Sequence, residues 1–165
     1  TRIAFCPTSN TFLGSGLFDF RNAREAGVTV GLASDVGGGT SLSMLTTMAE
    51  AYKVCRLRGQ TMTPWQAFYL ATLGNARVLH QDDQIGNFKP GKHADFVVLD
   101  QNASPLLEMK SAYTTTLMEA LFNLMVLGED RAVAATIVAG NIRYQRSAGS
   151  ESVTSSQPLT HKQGA

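Results

Sequence analysis

With 165 residues, 44% of them hydrophobic and 16% charged, the chain is long enough for one globular domain with a buried core. Its net charge of +1 gives no electrostatic footprint for nucleic acid or an anionic membrane, and no apolar run approaches the ~20 residues of a membrane-spanning helix. Two widely separated cysteines, Cys6 and Cys55, make no C-x-x-C pair, which argues against a disulfide framework or zinc ribbon and fits a reducing, cytoplasmic setting. No signal peptide is visible, and the sequence opens without Met almost directly on an apolar strand, so it reads as a piece of a longer protein.

Ile3-Ala4-Phe5-Cys6 is an apolar run ended by Pro7, a buried strand by pattern. Pro7 to Gly16 is rich in Thr, Ser, Asn and Gly and reads as a loop. Its Gly14-x-Gly16 begins like a dinucleotide fingerprint, but Asp19 stands where the third glycine belongs. Leu17 to Ala26 suits a short helix stopped by Gly27, and Val28 to Ala33 a second buried strand. Strand, helix and strand in this order predict a βα unit with parallel strands. Ser41 to Arg58 carries Leu42, Leu45, Met48, Ala49, Tyr52 and Cys55 on one face and is the clearest helix. Thr63-Pro64-Trp65-Gln66 is a capping box opening a helix to about Leu73, with Gly74 as its stop and Asn75 capping one further turn. His80, at that helix end, reads as structural rather than as a ligand, and His93 as a surface residue beside the Pro90-Gly91 turn. Ala94 to Asp100 is a strand bounded by acids. Thr116-Leu117-Met118-Glu119 is a capping box for a helix through Leu127, closed by Gly128. Ala132–Val138 and Ile142–Gln145 flank Gly140-Asn141, a hairpin signal, with Phe96–Leu99 expected in the same β layer. From Ser147 the polar composition, with His161, predicts a disordered tail.

The chemistry-bearing stretch is Val30-Gly31-Leu32-Ala33-Ser34-Asp35-Val36-Gly37-Gly38-Gly39-Thr40-Ser41. Asp35 stands where a strand ends, the place where α/β proteins mount reacting groups. The three glycines let the backbone turn tightly or approach a ligand, and Thr40 or Ser41 can cap the next helix. Two plainer readings stand beside this one: Asp35 as a cap or Asx-turn residue, and the glycines as a phosphate cradle, although the Lys of a P-loop is missing.

Three segments together resemble the amidohydrolase superfamily, and within it the guanine deaminase family. They are Phe5-Cys6-Pro7-Thr8-Ser9-Asn10 with Leu13-Gly14-Ser15-Gly16-Leu17-Phe18; Ser34 to Ser41; and Ile85-Gly86-Asn87-Phe88-Lys89-Pro90-Gly91-Lys92-His93-Ala94-Asp95-Phe96-Val97-Val98-Leu99-Asp100. Ala67 to Gly74 and Met118 to Phe122 are similar to it as well. The resemblance implies an α/β fold: the C-terminal portion of a (β/α)₈ barrel, its last two strands and helices in residues 1–80, then part of a small composite β-domain with a helix in residues 81–146, and the tail in 147–165. It implies one zinc ion in the intact enzyme, Asp35 as metal ligand and proton acceptor for the attacking water, and deamination of guanine to xanthine and ammonia. Ser9 and Asn10, at the end of the preceding strand, are implied as substrate contacts or as braces for the loop under Asp35. The family's H-x-H pair, its other histidine ligands and its Glu acid have no match here, so one metal ligand is present, and this chain alone is expected to be inactive and poorly stable. The alternatives are another deaminase or chlorohydrolase of the superfamily, or a non-catalytic binding or oligomerisation piece built on the Leu117–Leu127 helix. The implied partner is a small purine, with no nucleic acid or membrane and with a homodimer as a possible assembly.

Overall fold

The computed structural model describes residues 1–147. Arg2–Phe5 forms β1, Pro7–Phe12 α1, Phe20–Glu25 α2 and Thr29–Leu32 β2. The two strands pair in parallel, Arg2 opposite Thr29 through Phe5 opposite Leu32. A parallel pair requires a crossover, and α1 and α2 with the chain between them supply it. Phe5 and Leu32 are each 1% exposed, so the strands are most deeply buried where they end.

More than half of the expected Pro7–Gly16 loop is helix. Pro7 occupies the first helical turn, where its fixed φ is favourable and its missing N–H costs nothing, and Thr11 Oγ1 donates back to Pro7 O at 2.9 Å. Thr, Ser and Asn are weak helix formers, but Pro7, Thr8 and Ser9 are buried here, and packing overrides propensity. Asp19 caps α2: its carboxylate accepts from Asn22 N–H at 3.0 Å, and also from Gln60 at 2.8 Å and Arg58 at 2.5 Å. The Asn22 amide first, then Gln60, hold its carboxyl below the usual carboxylate range.

Met44–Leu57 forms α3, which starts later than the sequence suggests. Ser43, not Thr40 or Ser41, is its cap, accepting from Thr46 N–H at 3.4 Å, while Ser41 Oγ accepts from Ser43 N–H. Pro64–Tyr69 is α4, opened by the expected Thr63–Gln66 capping box. Gly74 does not stop this helix. The chain passes through a π-helical turn, Leu70–Gly74, into α5, Asn75–Val78, with Gly74 at an ordinary helical φ of −59°. A glycine ends a helix by adopting positive φ, and this one does not.

The second layer is an antiparallel sheet in the order β3-β4-β5: Phe96–Leu99, Val133–Val138 and Asn141–Gln145. The hairpin turn is Ala139-Gly140, one residue before the Gly140-Asn141 expected; both residues have positive φ, 49° and 76°, and Val138 pairs with Asn141. Positive φ at both central residues matches the twist of the flanking strands. Two α-helices lie between β3 and β4: α6, Pro105–Ser111, and α7, Leu117–Leu127. The first is absent from the sequence expectations, although Ser104 as cap and Pro105 at the first position spell its start. The Thr116–Glu119 capping box forms as expected.

One apolar core joins the layers. Leu124 and Met125 of α7 belong to the same buried cluster as Met48 and Val54 of α3 and Phe5 and Leu32 of the parallel pair. Tyr52 meets Phe122 edge-to-face with ring centres 5.5 Å apart. Among the described residues no helix is long and apolar enough to cross a membrane. The expected tail falls, from residue 148 on, outside the described residues.

Candidate active site

The site is the turn immediately after β2. Ala33 N–H still donates to Phe5 O at 3.0 Å, so pairing with β1 continues one residue past the strand. The chain then reverses. Asp35 takes a left-handed φ of 48°, Gly37 one of 116°, and Gly39 N–H closes the turn on Asp35 O at 2.5 Å. A non-glycine residue is uncommon there, aspartate less so than most, and here its surroundings hold it. Those surroundings come from α1. Thr8 Oγ1 donates to Ser34 O at 3.2 Å, and Ser9 Oγ donates to Asp35 Oδ2 at 2.6 Å, a charge-assisted bond to an ionised carboxylate. Thr8 and Ser9 are buried, whereas Asp35 is exposed: a solvent-facing carboxylate gripped from below.

The glycines pack against this turn. A Cβ at Gly39 would lie 1.8 Å from Ser34 O and 2.8 Å from Thr8 Oγ1. At Gly38 it would lie 2.8 Å from Ser9 Oγ, 3.2 Å from Asp35 Oδ2 and 3.2 Å from Leu13 Cδ1. The glycine run therefore closes on its own chain. The phosphate-cradle reading loses two of its three glycine donors, because the amides of Gly37 and Gly39 are spent on Gly39 O and Asp35 O. The plain cap reading of Asp35 also fails, since Ser43 caps the next helix, α3.

Ser9 thus meets Asp35 directly. Asn10 contributes through its backbone, its carbonyl accepting from Ser15 N–H at 2.9 Å and holding the chain after α1. His80 lies elsewhere: its Nδ1 accepts from the guanidinium of Arg2 at 3.0 Å, at the start of β1, and the strands are parallel, so it sits at the end opposite Asp35. His93 is exposed, its N–H on Gln84 O. Burial first, with the nearby Asp35 carboxylate second, pushes the Cys6 thiol up; burial, with Asp19 second, pushes Cys55 up to about 11. Both shifts favour the protonated, less reactive thiol. The signal that sequence reading missed is Thr8, whose hydroxyl braces the turn; its place just before Ser9 on a helix was hidden by the loop-like composition.

Catalytic zinc uses about three protein ligands with nitrogen, sulfur or oxygen donors. Among the described residues no group of three or more His, Cys, Asp or Glu side chains is placed to hold a metal ion. Asp35 fits as one oxygen donor, its Oδ2 oriented by Ser9; the chain by itself does not fit as a complete centre. The large apolar cleft of about 840 Å³ between α3 and the antiparallel sheet, lined by Met48, Phe68, Val97 and Ile137, includes neither Asp35 nor Ser9.

A parallel βα unit with a braced carboxylate beyond a strand's C-terminal end defines an α/β protein of the kind that mounts chemistry at strand ends. The chain belongs to the amidohydrolase family, whose model matches residues 1–143. It is similar to the guanine deaminase of Escherichia coli, 50% identical over 144 residues that make up 87% of this chain and 33% of that protein. The solved E. coli guanine deaminase superposes with a TM-score of 0.87 at 49% identity, over 88% of this chain and 34% of that one. The probable guanine deaminase of Deinococcus radiodurans is 40% identical over 88% of this chain and 34% of its own length. A Clostridium acetobutylicum guanine deaminase solved with guanine bound gives a TM-score of 0.75 at 27% identity, covering 86% of this chain and 33% of that one. The chain spans about a third of the length of the relatives it matches.

Proposed function

We propose that this chain supplies the reacting carboxylate of a zinc-dependent guanine deaminase, an enzyme that converts guanine and water to xanthine and ammonia. The observation that carries the reading is Asp35 in a left-handed turn beyond β2, with Oδ2 held by Ser9, in a chain half identical to a guanine deaminase. In this reading β1 and β2 are the last two strands of a (β/α)₈ barrel, within residues 1–80, and β3, β4 and β5 are part of a composite β-domain within 81–146. The two free cysteines suit a cytoplasmic setting.

The residues present divide the work. A zinc ion bound at this strand end would supply activation of water near neutral pH. Asp35 offers it one oxygen, and the same carboxylate is the proton acceptor for the attacking water. Ser9 donates to Oδ2 and so fixes which lone pairs face outward. Thr8, Gly38 and Gly39 keep the turn from relaxing, so no reorganisation is needed when the proton moves. Guanine is the substrate by likeness to the relatives; the groups that would read its ring lie outside what this chain provides.

The test uses the 165-residue chain with zinc, with and without the complementary N-terminal portion of a guanine deaminase relative. Guanine loss is followed in the ultraviolet and assembly by light scattering. The chain alone is expected to be inactive and to self-associate, in dimers or larger species, through the open edge of β1. Turnover should appear on mixing. Zinc-dependent turnover by a clean monomer, or none in a well-assembled mixture, contradicts the proposal.

A further inference from the structure

The strand that carries the Asp35 turn has a second anchor, on the flank away from β1. In a parallel ladder the N–H and C=O of one residue point to the same neighbour, and successive residues alternate sides. Ala33 N–H bonds Phe5 O, so residues 31 and 33 face β1 and the carbonyl of Leu32 faces the open edge of β2. That carbonyl is taken by Asn75, whose Nδ2 donates to it at 2.8 Å. The same side chain lies across Gly31: a Cβ there would come within 2.1 Å of Asn75 Oδ1. Asn75 opens α5 directly after the π-helical turn Leu70–Gly74. A π turn inserts one residue into the helix and rotates the residues after it by about 100° around the helix axis, which changes the face that position 75 presents. Interrupted helices of this kind concentrate at functional sites.

We infer that Asn75 is a positioning residue for Asp35. Its amide holds the outer flank of β2 three residues before Asp35, while Ser9 holds the carboxylate from α1. The residue type is dictated by the geometry. The Leu32 carbonyl needs a donor, which neither leucine nor aspartate supplies, and aspartate would set a negative charge against it. Gly31 is the matching half of the pair, since a larger residue there would displace the amide. The functional part of this inference rests on reading Asp35 as the reacting carboxylate.

The experiment compares amide hydrogen exchange in the 165-residue chain with and without the isosteric Asn75→Asp. Gly39 N–H, bonded to Asp35 O, reports the turn; Ala120 N–H, bonded to Thr116 O in α7, reports the rest of the fold. Asn75→Asp is expected to speed exchange at Gly39 about tenfold or more relative to Ala120. Leu124→Ala, a buried change in α7, should speed both together. A merely structural role for Asn75 predicts that common acceleration and overturns the inference. Should Asn75→Asp abolish the fold, Asn75→Ser is read in the same way. A second arm is a melting-temperature cycle. Gly31→Ala alone should lower the midpoint, and in an Asn75→Ala background it should lose at least about half of that effect, because the colliding atom is gone. Strict additivity contradicts the pairing. In the mixture with the N-terminal portion of a relative, Asn75→Asp should lower kcat about tenfold with KM unchanged. If the unsubstituted mixture does not turn guanine over while Gly39 still loosens, the deaminase reading fails and the anchor stands. If turnover is present and neither kcat nor Gly39 exchange responds, the positioning role is wrong.

Discussion

Two turns in this molecule use the same uncommon backbone for different ends. Asp35 and Ala139 have nearly equal left-handed φ values, 48° and 49°, and each is followed within two residues by a glycine of positive φ. Around Ala139 the angles are those of the hairpin itself, and its one long-range brace, from a residue 44 positions earlier, leaves the glycine in open space. The hairpin needs those angles to reverse β4 into β5, Ala139 N–H is steadied by Asp95 Oδ1 at 2.6 Å, and a Cβ at Gly140 would meet nothing within 4 Å. Around Asp35 the demand comes from elsewhere in the chain. Thr8 and Ser9 reach it from a helix 26 residues earlier in sequence, and Gly38 and Gly39 are pressed against them. The first turn takes its angles because a tight hairpin requires them; the second is packed closely against a helix and leaves a carboxylate facing solvent.

That contrast can be broken by substitution. The largest effect should come from Gly39→Ala, whose Cβ cannot coexist with Ser34 O; a loss of roughly 3 kcal/mol in a urea melt is expected. An effect under about 1 kcal/mol would show that the Asp35 turn adapts as freely as the hairpin. Ser9→Ala should cost about 1.5 kcal/mol, a hydrogen bond to a charged group reduced for the exposure of Asp35, and the same melts would reveal it. Gly140→Ala, with open space around it, should cost only the left-handed penalty, about 1 kcal/mol. If Gly140→Ala proved worse than Gly39→Ala, the contrast between the turns would be inverted. The smallest effect is that of acid. Asp19, Asp100 and Glu119 are all held below their usual range, chiefly by the backbone amides of Asn22, Asn102 and Thr115. Their stabilisation is complete above the unfolded carboxylate pKa of about 4 and is lost as pH falls through the lower folded values. Melting midpoints should therefore hold steady above about pH 5 and decline below pH 4; a rise on acidification would contradict the assigned bonds.

Much of this was legible in the sequence because short-range chemistry determined it. The capping boxes at Thr63 and Thr116 formed, and β1 and β2 paired in parallel as strand–helix–strand order requires. The bond from Ser9 to Asp35 was within reach of the resemblance, which implied Ser9 as a substrate contact or as a brace under Asp35. What failed was what tertiary contact decides. α1 was hidden because Thr8, Ser9 and Asn10 look like loop until burial is known. Gly74 looked like a stop because glycine usually is one, and the purpose of Asn75 was invisible until β2 lay beneath it. The hairpin slipped by one residue because Ala139, not Asn141, bears the left-handed strain.

The proposed function turns on Asp35 being the reacting carboxylate. The decisive quantity is kcat for guanine in the zinc-loaded mixture of this chain with the N-terminal portion of a relative, comparing Asp35 with Asp35→Asn at equal assembly. The amide keeps the size and can still accept from Ser9 but cannot take a proton from water. A fall of about a hundredfold or more is expected, with light scattering and melting midpoint little changed. Turnover within twofold of the unsubstituted chain would contradict the assignment.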